Sequence, residues 1–120
     1  KKTLVSAAVL RFDGQLSTYK AYQGPPHPCY RCIFPEPPPE GAIPSCSQGG
    51  VLGAMAGIMG TMQATEVLKE ILGLGQSMSG RLLIHDGLAG EVRTIRVKPD
   101  PSCALCGESP SIHDLKAHEA

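Results

Sequence analysis

Apolar positions along this chain fall into runs of different period, and each run predicts a different element. Leu4-Val5-Ser6-Ala7-Ala8-Val9-Leu10 is short, uncharged and nearly continuous, the pattern of a parallel strand buried on both faces. Asp13-Gly14 then signals a turn, and residues 15–22 alternate with β-favouring side chains, so the pair predicts a hairpin. From Val51 to Leu72 the period changes to that of a helix: Met55, Ile58, Met59, Met62, Val67, Leu68, Ile71 and Leu72 recur at helical spacings. Gly73 stands where a C-terminal cap belongs, and Glu66, Lys69 and Glu70 confine charge to the last turns. Arg81–Asp86 and Glu91–Lys98 read as two further strands joined by Gly87-Leu88-Ala89-Gly90. In the second, Ile95 and Val97 share one face while Thr94, Arg96 and Lys98 share the other, which predicts that one face is solvated. Between hairpin and helix lies Gly24-Pro25-Pro26-His27-Pro28 and then Pro35-Glu36-Pro37-Pro38-Pro39, a long loop that continues neither a helix nor a central strand. Residues 108–120 read as a polar tail.

Composition narrows the function classes. Eleven basic and eleven acidic residues cancel, so charge signals neither nucleic acid nor a membrane surface as partner. Three Tyr, two Phe and no Trp leave few stacking platforms for single strands. The stretch from Gly41 to Thr65 lacks charge, but Pro44, Ser45, Ser47, Gln48 and Gln63 argue against a membrane span. Gly53, Gly57 and Gly60 instead suggest close backbone packing against a sheet or another subunit.

The cysteines carry the candidate chemistry. Four of the five form two CxxC pairs, Cys29/Cys32 and Cys103/Cys106, with only Cys46 between them. Each such turn aims two thiolates at one ion, and two turns complete the tetrahedral tetrathiolate shell of structural zinc. No coordination position is left for a substrate, so the ion is expected to clamp the loop near residue 30 to the loop near residue 105. A pair of disulfides needs an oxidising compartment for which no leader pattern is read; a redox-active CxxC belongs at a helix start; a four-thiolate iron–sulfur cluster fits the same residues. His27 precedes a ligand by two residues, but four thiolates already close the shell. His85 reads as a core or hydrogen-bonded residue, and His113 and His118 as solvated. Glu66 and Asp86 have no partner at a spacing that proposes acid/base catalysis. Cys46 is unpaired and precedes an uncharged helix, where the positive end of the helix dipole favours a thiolate.

Read in order, Pro28-Cys29-Tyr30-Arg31-Cys32, Pro44-Ser45-Cys46, Gly50-Val51-Leu52-Gly53, Gly57-Ile58-Met59-Gly60-Thr61-Met62-Gln63-Ala64-Thr65-Glu66-Val67-Leu68-Lys69, Ser79-Gly80-Arg81-Leu82, Asp86 and Cys103-Ala104-Leu105-Cys106-Gly107 resemble the MoeB/ThiF/HesA family of ubiquitin-activating-like adenylyltransferases. The resemblance implies an α/β fold with a mostly parallel sheet, a homodimer, and zinc on Cys29, Cys32, Cys103 and Cys106. It implies an enzyme that uses ATP and Mg²⁺ to adenylate the C-terminal glycine of a cytoplasmic ubiquitin-like sulfur carrier of the MoaD or ThiS type, for molybdopterin, thiamin or tRNA thiolation. Cys46 falls where some members place a cysteine that bonds the carrier covalently. The nucleotide-binding features of the family, a glycine-rich strand-to-helix turn above all, are not found here, since Gly73-Leu74-Gly75 follows a helix. Residues 1–107 are therefore expected to be the C-terminal half of such a domain, inactive alone. The alternative is a non-catalytic zinc-stapled module for dimerisation or carrier docking.

Overall fold

A computed structural model describes residues 1–116, so His118 lies outside the described residues. Four strands, β1 (Leu4–Leu10), β2 (Asp13–Tyr19), β3 (Arg81–Asp86) and β4 (Glu91–Arg96), form one sheet in the order β1-β2-β3-β4. Three α-helices lie between β2 and β3 among the described residues: the single turns α1 (Tyr30–Ile33) and α2 (Cys46–Gly49), and the 20-residue α3 (Gly53–Leu72).

The expected buried parallel strand is corrected: every ladder between these strands is antiparallel, and β1 lies at the sheet's edge with Leu4 51% exposed. Absence of charge made β1 look buried on both faces, yet within this chain it has a strand on one side only. The first hairpin also turns earlier than Asp13-Gly14 suggests. Leu10 pairs with Asp13, which leaves Arg11-Phe12 as a two-residue loop and puts Asp13-Gly14 inside β2. Arg11 adopts a positive φ of 55°, unusual for a residue with a side chain. Its backbone is fixed on both sides, the amide donating to Gly50 O at 3.0 Å and the carbonyl accepting from Leu52 N–H at 2.8 Å.

Helix α3 lies across β1 and β2. Met55 and Met59 are buried there with Leu16, and Val5, Ala7, Val9, Met62 and Leu83 pack around them. Gly14 makes that approach possible, because a Cβ on it would come within 2.5 Å of the Met59 side chain. Polar bonds fasten the rest of the helix: Gln63 Nε2 donates to Val5 O at 2.8 Å, and Lys20 Nζ lies 3.0 Å from Glu70 Oε2. Gly73, at φ 64° and ψ 37°, ends α3 in the left-handed cap the sequence predicts.

One further expectation changes in part. Gly53, Gly57 and Gly60 face open space rather than a packed backbone within this chain. Strand β4 is exposed along both faces, with Val92 52% and Ile95 43% exposed, because α3 lies over β1 and β2 and its buried methionines reach no further across the sheet than Leu83 of β3. The solvated face expected from the alternation in β4 is exposed, and so is the face that carries Ile95.

Candidate metal centre and the cleft beside it

The loop between β2 and α2 carries the first CxxC. Its extended residue Cys29 precedes α1, and Cys32 N–H donates to Cys29 O at 3.2 Å, folding the turn so that both sulfurs face one way. The second turn is closed by Gly107, whose amide donates to Cys103 O at 2.9 Å. A Cβ at Gly107 would meet Cys103 O and Pro101 O at 2.5 Å, so this turn admits glycine alone without backbone movement.

These turns meet. Sγ atoms of Cys29, Cys32, Cys103 and Cys106 all lie within 4.8 Å of one another and can hold a metal ion. Cys29 is 3.8 Å from Cys32 and 3.6 Å from Cys103, and Cys32 is 3.3 Å from Cys106. Cys29 and Cys103 are buried, Cys32 and Cys106 partly so. Burial opposes the ionisation of Cys103, but the Cys106 and Leu105 amides more than offset it and hold its pKa at about 7. Burial pushes the Cys29 and Cys106 thiols up. Four sulfurs this close cannot all become thiolates unless a cation stands among them, since each negative charge disfavours the next.

The residues that hold the turns in place were not among the candidates the sequence offered. Asp100 N–H donates to Cys32 Sγ at 3.4 Å, while the Asp100 carboxylate accepts from Ser102 N–H and Oγ–H. Those two bonds keep the Asp100 carboxyl below the usual carboxylate range. The Asp-Pro-Ser sequence at 100–102 is the available signal, an Asp whose side chain bonds the backbone two residues on. Tyr30, between the first two cysteines, meets Tyr19 of β2 edge to face with centroids 5.6 Å apart, and stacks on Phe34 at 4.9 Å. His27 Nδ1 lies 2.8 Å from Ser79 Oγ, so it is tied to the segment before β3 rather than to the cysteines. The amides of Glu108, Ser111 and Ile112 bond back to Pro101 O and Ala104 O, folding the start of the tail over the second turn.

Cys46 is exposed and stands apart from this cluster. It opens the single turn α2, where Ser45 and Gln48 form a capping box, and α3 begins only at Gly53. Cys46 thus precedes the long helix as expected but starts a separate single turn, and Gly50-Val51-Leu52 intervenes, diverted to bond Arg11. Cys46 lines a cleft of about 610 Å³ over the sheet with Gln15, Tyr30, Ile43 and Pro44. Tyr30 therefore belongs to both places, seated between two cluster cysteines and forming a wall of the Cys46 cleft.

Fold and site together define an α/β unit in which two distant CxxC turns are brought to one point beside an antiparallel sheet. A model of the ThiF family matches residues 1–105. The chain belongs to that family. It is 52% identical over 120 residues to adenylyltransferase and sulfurtransferase MOCS3 of Bos taurus, covering 99% of this chain and 26% of the relative. It is 41% identical over 121 residues to a sulfur carrier protein adenylyltransferase of Thermus thermophilus, covering 99% and 45%. A MOCS3 relative from Caenorhabditis briggsae is 52% identical over 110 residues, covering 91% and 27%. The chain thus spans about a quarter of the animal relatives and under half of the bacterial one. No helix among the described residues is long and apolar enough to cross a membrane.

Proposed function

We propose that this chain is part of an ATP-dependent adenylyltransferase that activates the C-terminal glycine of a ubiquitin-like sulfur carrier in the cytoplasm, and that its own share is a zinc-stapled scaffold with a cleft for the carrier's tail. The observation that carries the reading is the match over residues 1–105 to a family whose relatives bear the adenylyltransferase name. Zinc fits the donor set: a tetrahedron with Zn–S of about 2.3 Å separates its sulfurs by roughly 3.8 Å, against 3.3, 3.6 and 3.8 Å here. Cys29, Cys32, Cys103 and Cys106 hold it. Such an ion fixes loops and leaves no open position for substrate.

Bound ATP with Mg²⁺ supplies the adenylyl group that activates the carboxylate; no residue of this chain is assigned to hold it. Residues 1–107 then act as the C-terminal half of the domain, and residues 108–120 as its tail. The cleft bounded by Tyr30, Ile43 and Pro44 is open and largely apolar, suited to an extended glycine-rich segment, and Cys46 lies at its wall. In that position its sulfur can attack the activated carbonyl and displace AMP.

A second reading, a non-catalytic module for dimerisation or carrier docking, is favoured by the outer face of α3, where Leu68, Ile71 and Leu72 are 56%, 72% and 62% exposed. ATP–pyrophosphate exchange with a carrier ending in Gly-Gly separates the two. The complete enzyme is expected to exchange and this chain alone is not; a Cys46→Ser substitution in the complete enzyme should leave exchange intact and reduce sulfur transfer. No exchange by the complete enzyme favours the docking module, and exchange by this chain alone overturns the scaffold assignment.

A further inference from the structure

A second cleft, of about 560 Å³, opens at the end of the sheet away from Cys46, between the Pro25-Pro26 turn, the segment leading into β3 and the strand end beyond β4. Its charged lining is Arg81, Arg96 and Lys98, and no carboxylate lines it. Arg81 and Arg96 are direct cross-strand partners in the β3–β4 ladder. Like charges placed opposite one another across an antiparallel pair are destabilising, so this juxtaposition asks for a compensating negative group.

The two arginines differ in how they are held. Arg81 Nε donates to Ser77 O at 3.2 Å, and its Nη2 donates to Ser77 O at 2.8 Å and Gln76 O at 3.0 Å. Three of its five N–H hydrogens are thereby used, and the two on Nη1 have no acceptor among the described residues. The guanidinium is pinned by backbone carbonyls with one edge free, so little rotamer freedom remains to be lost on binding. Arg96 and Lys98 have no ion pair among the described residues. Glu70, the carboxylate bonded to Ser77 at this end of the sheet, is already committed to Lys20. Pro26 and Pro99 give the cleft rigid apolar walls beside the cations.

We propose that this cleft binds an organic phosphate monoester. Its phosphoryl oxygens accept from Arg81 Nη1, Arg96 and Lys98, and its apolar portion rests against Pro26 and Pro99. Bidentate geometry favours a phosphoryl group at paired guanidiniums, and the volume falls within the usual range of small-molecule sites. The reading is independent of the adenylyltransferase proposal, since it concerns neither the metal cluster nor the Cys46 cleft.

The test is titration of the zinc-loaded chain with phenyl phosphate and, separately, inorganic phosphate, followed by amide and arginine Nε NMR shifts. Saturable shifts are expected at Gly80, Arg81 and Val97, with phenyl phosphate several-fold tighter than inorganic phosphate. Arg96→Gln is expected to weaken binding at least tenfold and Lys98→Gln several-fold, while Arg93→Gln, three residues earlier in β4 and outside the cleft lining, leaves it unchanged. All three positions are exposed, so the variants should fold. Non-saturating shifts spread over every surface cation, survival of binding in both Arg96→Gln and Lys98→Gln, or equal affinity for the two phosphates would overturn the assignment.

Discussion

Gly14 shows how one missing Cβ positions an element. The helix that supplies the core approaches β2 so closely that a methyl group at residue 14 would stand 2.5 Å from Met59 Cγ and Sδ. Replacing Gly14 by Ala should cost about 1–3 kcal/mol through overpacking, since Met59 is buried and has little space into which to retreat. Urea unfolding measures it, and a variant as stable as the parent would mean that α3 can shift outward without loss. Glu70 makes a prediction of a different kind. Burial works against its charge, but the Ser77 hydroxyl and the Lys20 ammonium more than offset that and hold its carboxyl below the ordinary value. A carboxyl depressed on folding contributes stability that is complete above the unfolded value, about 4.3, and that is lost as pH falls through the folded value. The stability difference between the parent and Glu70→Gln should therefore be constant above about pH 5.5 and shrink steadily below about pH 4.3. A difference independent of pH across that range would show that the Lys20–Glu70–Ser77 contacts contribute no charge-dependent stability.

At the scale of elements, α3 presents two apolar faces that differ in what they touch. Met55 and Met59 are each 1% exposed against the sheet, while Leu68, Ile71 and Leu72 on the later turns face outward. Truncation should report that difference: Met55→Ala or Met59→Ala is expected to cost about 2–5 kcal/mol, and Leu68→Ala within about 0.5 kcal/mol of nothing. Thermal and urea unfolding of the three variants check it, and a large loss at Leu68 would reveal packing on the outer face. The same helix marks how far the sequence could be read. Its length, type and glycine cap follow from a 3.6 period ending at Gly73, so α3 and the four strands were legible. Which face of α3 is inside was not, because apolar residues occupy both faces and only the tertiary approach at Gly14 chooses between them. The first hairpin failed for a related reason. Asp13-Gly14 has the chemistry of a turn, yet its glycine serves close packing, and the turn is made at Arg11, where bonds to Gly50 and Leu52 hold a positive φ that sequence alone disfavours. An uncharged β1 was legible as a strand, but a pattern along one strand carries no information on the direction of its neighbour.

For the molecule as a whole, the cysteine cluster joins what the sheet and α3 leave separate. Neither the loop carrying Cys29 and Cys32 nor the segment carrying Cys103 and Cys106 belongs to the core of Leu16, Met55 and Met59. The meeting of these four cysteines was legible in sequence, because CxxC spacing is local chemistry; its supports, Asp100, Tyr30 and His27, were not, because each acts across a distance that only folding closes. Those supports are few: one Asp100 N–H bond to sulfur, the Tyr19–Tyr30 contact and the His27–Ser79 bond. If zinc occupies the cluster, most of the free energy joining these loops comes from metal–thiolate bonds, an apparent term on the order of 10 kcal/mol for small zinc domains at neutral pH. Removing the ion with a chelator should then lower Tm sharply, and returning one equivalent of zinc should restore it. Cys103→Ser should reproduce the loss, and chelation should add little to it, because the fourth ligand is already gone. Amide exchange locates the effect: protection should fall first at residues 29–34 and 100–107, while that of β2 and the first turns of α3 persists longer. Melting that is unchanged by chelation, with metal content verified before and after, would mean that aromatic and backbone contacts alone hold the two turns together and that the cluster is not a structural metal site.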